Sequence, residues 1–231
     1  MKKIYLLISI FSINTIAADY EPYESSYEPL PYTNTIFRNA NIYDGDGKEF
    51  IDTDIIIQDG KIIAIGKDLP VSNDLIAVDA TGKWITPGII DIHSHMGVYP
   101  APSVKTSSDG NEATSPVTAE VWAEHSIWTQ DPQFALALKG GVTTFHVLPG
   151  SANLIGGRGV TAKNLQRNTI NSMKFPDAPH SLKMACGENP KRVYGNRGQS
   201  PSTRMGNIAG YRKSWIKAES YLSKLDEYEA K

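Results

Sequence analysis

The chain has 231 residues, a formal net charge of −2 and 40% hydrophobic residues. That is enough material for a packed core in one large or two small domains. The near-neutral balance offers no basic field for nucleic acid or an anionic membrane surface.

Met1-Lys2-Lys3 is a short basic start, followed by the apolar run Ile4 to Ile13 and small residues at Thr15, Ala17 and Ala18. This is the order of a secretory signal peptide over residues 1–18. The apolar run is shorter than the roughly 20 residues a membrane span needs, so no stable anchor is expected. The single cysteine, Cys186, has no intrachain partner and is expected to be a buried free thiol. A secreted chain without disulfides fits a bacterial periplasm.

Residues 19–34 are rich in Tyr, Glu, Pro and Ser without an apolar period, and read as an extended leader. From Thr35 to Trp84 the chain is β-prone. Two β-branched runs flank Asp59-Gly60, a pair suited to a type I′ hairpin turn. A small β module over 35–84 is expected.

The pattern then changes. Ile89-Ile90-Asp91-Ile92 reads as a parallel strand buried on both faces, ending in His93-Ser94-His95. Residues i and i+2 of a strand share a face, so the two imidazoles project together. Neutral imidazole suits zinc and related divalent ions, and Asp91 shares the phase as a carboxylate to orient a histidine. Val117 to Trp128 carries a mixed helical pattern. Asp131-Pro132 predicts a helix start and Gly140-Gly141 its stop. Val142 to Leu148 is the next strand, the glycine-rich stretch Asn153 to Asn164 reads as a flexible loop, and Leu182 to Cys186 is a third strand. Trp215, Ala218, Leu222 and Leu225 form an apolar stripe on a final helix.

A β module leading into Pro87-Gly88, an apolar run, Asp91, His93 and His95 resembles the opening of the amidohydrolase superfamily, in its secreted imidazolonepropionase-like and prolidase-like branch. Ala137 to Ser151, with Gly141-Val142-Thr143-Thr144, is similar to that superfamily's second barrel strand. The resemblance implies an α/β fold: a small β-sandwich module, then the first strands and helices of a (β/α)8 barrel over 85–231. It implies a hydrolase of carbon–nitrogen bonds in small-molecule or peptide-like amides, using one or two divalent ions, zinc by family habit. His93 and His95 are then metal ligands. Such enzymes often bridge two ions with a carboxylate or a carboxylated lysine from a middle strand, and Glu188 is the candidate for that ligand, against a plain polar loop residue.

His146, near the end of the second strand, and Arg158, in Gly156-Gly157-Arg158-Gly159, are candidate substrate-binding residues. A packed histidine and a loop arginine are the alternatives. His125 and His180 have no assigned role. A full barrel takes ~250 residues, and the family's further histidines and catalytic aspartate find no counterpart after His180. The expectation is therefore the N-terminal portion of an enzyme. A truncated, non-catalytic periplasmic protein binding a metal or small ligand is the alternative. Substrate and oligomeric state are left open.

Overall fold

The computed structural model describes residues 23–231. The expected signal peptide, and the leader as far as Pro22, lie outside the described residues.

The first strands are β1 (Thr35–Tyr43), β2 (Glu49–Gln58), β3 (Lys61–Gly66), β4 (Ile76–Asp79) and β5 (Trp84–Ile85). They form one five-stranded sheet in the order β3-β2-β1-β4, with β5 also paired to β1. β2 and β3 make a hairpin through Asp59-Gly60, both at positive φ (49° and 73°), as a type I′ turn requires. Alternation along β1 sends Ala40 and Ile42 inward, where with Ile55 of β2 and Ala80 they pack against Phe37, Phe50, Ile65 and Ile85. The buried Asp54 carboxylate accepts hydrogen bonds from the Arg38 guanidinium and from the backbone N–H groups of Asn39 and Leu69.

The second part contains β6 (Ile89–Ser94), α1 (Pro132–Lys139), β7 (Val142–Val147), β8 (Ile155–Arg158), β9 (Val160–Lys163), β10 (Leu182–Met184), α2 (Glu188–Gly195) and α3 (Arg204–Glu229). β6 and β7 are parallel and joined by a crossover that includes α1, the connection parallel strands need. β9 pairs antiparallel to β7, completing a three-stranded sheet β6-β7-β9, while β8 and β10 make a separate antiparallel pair. Gly88 lets the chain enter β6 close to β7: a Cβ there would lie 2.2 Å from Thr143 Oγ1. Phe134 from α1 stacks on Phe145 from β7 with ring centroids 5.1 Å apart. Around them lie Val98, Val147, Val160, Ala162 and Met173.

Asp131 caps α1 by accepting from Gln133 N at 3.0 Å. The same buried carboxylate takes Gly97 N at 2.9 Å and Ala101 N at 3.2 Å. One side chain thus starts the helix and fixes the loop that follows His95.

Several expectations change. β6 is an edge strand whose Ile89, Ile90 and Ile92 are 52%, 64% and 76% exposed, because only β7 lies beside it among the described residues. The glycine-rich stretch is ordered as β8 and β9. Val117 to Trp128 forms only a single 3-10 turn at Ala123–His125, because Val117 and Trp122 bridge to Ile155 and Arg158 and hold the segment extended along β8. Cys186 is exposed, just past the end of β10. The Trp215 and Leu222 stripe of α3 is likewise exposed. Among the described residues no helix is long and apolar enough to cross a membrane.

Candidate metal centre

β6 carries His93 to the edge of the sheet and releases the chain at Ser94, so His95 stands one residue beyond the strand. Their rings are 5.2 Å apart, edge to face at 85°. Asp91 does not reach an imidazole by a hydrogen bond; its Oδ1 accepts the backbone N–H of His93 at 3.1 Å and stiffens the strand end. His95 Nδ1 lies 2.8 Å from the Leu148 carbonyl oxygen. A carbonyl only accepts, so Nδ1 carries the proton and the Nε2 lone pair is left for a ligand.

The third member comes from β10. Lys183 Nζ lies 3.1 Å from His93 Nε2. The lysine is 7% exposed, although its strand neighbours Leu182 and Met184 are 38% and 39% exposed. β10 therefore turns its one polar side chain inward. Burial lowers the Lys183 pKa. The His93 pKa is lowered first by the Lys183 charge, then by burial and by His95, with Asp91 opposing. Burial thus disfavours the Lys183 ammonium, and that ammonium in turn disfavours protonation of His93, so the pair holds fewer protons than two isolated groups would.

The remaining candidates lie apart from this group. Glu188 opens α2 and accepts from Arg192 Nε at 2.6 Å, with its side chain 68% exposed. Among the described residues no three His, Cys, Asp or Glu side chains converge on a common point, so Glu188 is not gathered with the two histidines. His146 has both ring nitrogens engaged, Nδ1 with Thr161 Oγ1 at 2.8 Å and Nε2 with Ser181 Oγ at 2.6 Å. Its pKa is lowered by burial and then by the charges of His180 and His93. Arg158 lays its guanidinium 4.8 Å from the Trp122 ring centroid, and Trp122 also meets the His180 ring edge to face at 4.9 Å.

Lys183 is the residue that sequence inspection missed. Its signal was present, a lysine centred in the apolar run Leu182 to Met184, but the partner lies 90 residues away. A cavity of about 460 Å³, lined by Val98, Asn111, Trp122, Pro149 and Gly156 among others, shares none of its lining with His93, His95 or Lys183. Gly156 is also packed toward the Lys183 stem: a Cβ there would be 3.8 Å from Lys183 Cγ.

The same arrangement of chain is found in a solved structure, an amidohydrolase from Thermotoga maritima MSB8. The two superpose with a TM-score of 0.76 at 41% identity, over 83% of this chain and 49% of that one. The chain belongs to the amidohydrolase superfamily. Members of that superfamily are generally metal-dependent. Among curated relatives, the amidohydrolase tasK of Hapsidospora irregularis is 33% identical over 213 residues, which is 87% of this chain and 21% of that protein. A dihydroorotase of Ligilactobacillus salivarius is 41% identical over 63 residues, 26% of this chain and 14% of the relative. No family model matches the chain. This superfamily member spans about half the length of the Thermotoga chain and about a fifth of tasK.

Proposed function

We propose that the chain is the N-terminal portion of a metal-dependent hydrolase that cleaves carbon–nitrogen bonds in small-molecule or peptide-like amides. In this reading β6 and β7 are the first two strands of a (β/α)8 barrel, and the sheet of β1 to β5 is part of a small β-sandwich beside it. The observation that carries it is the convergence of His93, His95 and Lys183 at the C-terminal end of β6, where barrels of this kind hold their chemistry. The relatives named amidohydrolase and dihydroorotase support the bond class.

The residues fit a divalent ion. His95 keeps Nε2 free, and His93 is held toward the neutral imidazole that metals bind. Lys183, buried and with a lowered pKa, is suited to react as a free amine with carbon dioxide. The Nζ lone pair forms the new N–C bond, one C=O electron pair moves onto oxygen, and a proton leaves the nitrogen for solvent. The product is a carbamate, which turns a poor ligand into an anionic oxygen donor. His93, His95 and the Lys183 carbamate would hold such an ion, zinc by family habit, which would supply Lewis-acid chemistry by acidifying water and polarising an amide carbonyl.

The test is metal content after purification with zinc and bicarbonate, followed by a screen of cyclic and acyclic amides. Retained metal that is lost in His93→Ala and Lys183→Ala supports the centre, and metal retained equally in both variants overturns it. A second reading is a non-catalytic metal- or ligand-binding protein. It is favoured by the lack, among the described residues, of three converging His, Cys, Asp or Glu side chains. Metal retention without turnover of any amide separates it from the first. Export to a periplasm is part of the proposal, supported by the order of residues from Met1 to Ala18 and checked by cell fractionation.

A further inference from the structure

Among the described residues β10 is three residues long and pairs with β8 alone, whereas His93 ends β6 in the separate sheet β6-β7-β9. No strand ladder between β6 and β10 therefore sets the distance from Lys183 to His93. The two sheets meet where β8 runs into β9 through Gly159. At that corner His146, on β7, reaches Ser181 Oγ at 2.6 Å with Nε2 and Thr161 Oγ1 at 2.8 Å with Nδ1. Ser181 stands two residues before Lys183, and its carbonyl accepts the Gly159 N–H at 3.0 Å. The corner has room only for glycine. A Cβ at Gly159 would lie 2.6 Å from Ser181 Oγ, 2.7 Å from Leu148 Cδ2 and 2.8 Å from His146 Nε2.

We propose that His146 and Ser181 form a positioning tie that docks the start of β10 against β7 and so holds Lys183 Nζ beside His93. This rests on the reading of His93, His95 and Lys183 as a metal centre. A strand held by one short ladder is free to shift by fractions of an ångström, and ligand geometry tolerates about 0.5 Å. The tie removes that freedom. Serine and threonine hydroxyls each donate and accept, so the Thr161–His146–Ser181 chain is satisfied with either ring tautomer. His146 and Ser181 act through Lys183 and are positioning residues.

The experiment uses the protein with zinc and ¹³C-bicarbonate, and reads zinc affinity by chelator competition and the lysine carbamate by ¹³C NMR. Ser181→Ala and His146→Phe are expected to weaken zinc binding about 10- to 100-fold, the usual cost of losing a group that orients a ligand. The carbamate signal should fall with it while the circular dichroism spectrum is kept. Ser181→Thr, which retains the hydroxyl, is expected to restore both. Gly159→Ala, which forces Ser181 and His146 apart, should behave like Ser181→Ala. If His146→Phe does not fold, the two smaller changes decide. Zinc affinity within about twofold of the parent and a full carbamate signal in Ser181→Ala and Gly159→Ala would overturn the tie and leave the metal centre standing. A parent protein with neither zinc binding dependent on His93 nor a carbamate would overturn the centre itself, and the tie with it.

Discussion

Lys183 Nζ and His93 Nε2 lie 3.1 Å apart although 90 residues separate them in the chain. Burying the Lys183 amine costs free energy, because its single hydrogen bond to the exposed His93 replaces only part of the hydration it loses. Lys183→Met keeps the stem and removes the amine. It is expected to raise the stability of the metal-free protein by about 1 kcal/mol while abolishing metal retention, a trade of stability against function. Denaturant melts with and without zinc check both halves, and a destabilised metal-free Lys183→Met would argue against a net cost of burying the amine.

Two members of the proposed centre could be read from local sequence, and the third could not. His93 and His95 stood out because strand alternation is local and the pair ends an apolar run. Asp59-Gly60 and Asp131-Pro132 were legible for the same reason, since turn and cap chemistry is decided within a few residues. Lys183 was not, because its role depends on a partner strand far along the chain. Glu188 drew attention by its position after β10, yet a neighbour one helical turn away, Arg192, engages it. The glycines at 156, 157 and 159 read as a flexible loop. Gly156 and Gly157 instead lie in β8 and Gly159 joins it to β9, and a side chain at Gly157 or Gly159 would run into Val121 or into Ser181 and Leu148.

Asp54 gives a pH dependence with a definite sign. Burial alone raises its pKa, but the Asn39 N–H, the Arg38 guanidinium and the Leu69 N–H together outweigh burial and hold it below the usual value of 3.8. A depressed carboxyl contributes stability that is full above the unfolded-state pKa and fades as pH falls through the folded one. Asp54→Ala is expected to cost about 2 kcal/mol at pH 7 by orphaning those donors. The gap between parent and variant should close progressively below pH 3.8. Urea melts across that range check it, and a gap independent of pH would contradict it.

The leader is tied to the body through a buried ion pair. Lys174 Nζ lies 2.7 Å from Glu124 Oε2, and these side chains are 7% and 0% exposed. The Lys174 ammonium also donates to the Tyr23 carbonyl, and the Tyr23 N–H donates to Glu124 Oε1 at 3.2 Å. Glu124→Ala should cost about 3–5 kcal/mol by leaving the ammonium buried without its partner. Glu124→Ala with Lys174→Met should recover most of that loss. A double-mutant cycle measures it, and additive losses would show that the pair does not act as a unit.

Phe134 and Phe145 are both fully buried and stacked, and they join α1 to β7 beneath the strand ends. Phe134→Ala should destabilise the protein by about 3–5 kcal/mol. Because the ring also supports the loop from His95 to Ala101, metal affinity should fall as well. Thermal melts and chelator competition on the same samples check the two effects together.

The most direct test is anomalous diffraction at the zinc absorption edge from crystals grown with zinc and bicarbonate. The expected result is a peak enclosed by His93 Nε2, His95 Nε2 and a side chain at Lys183 extended by a carboxyl group. A zinc peak elsewhere, or none between these three residues with Lys183 unmodified, would contradict the assignment of this metal centre.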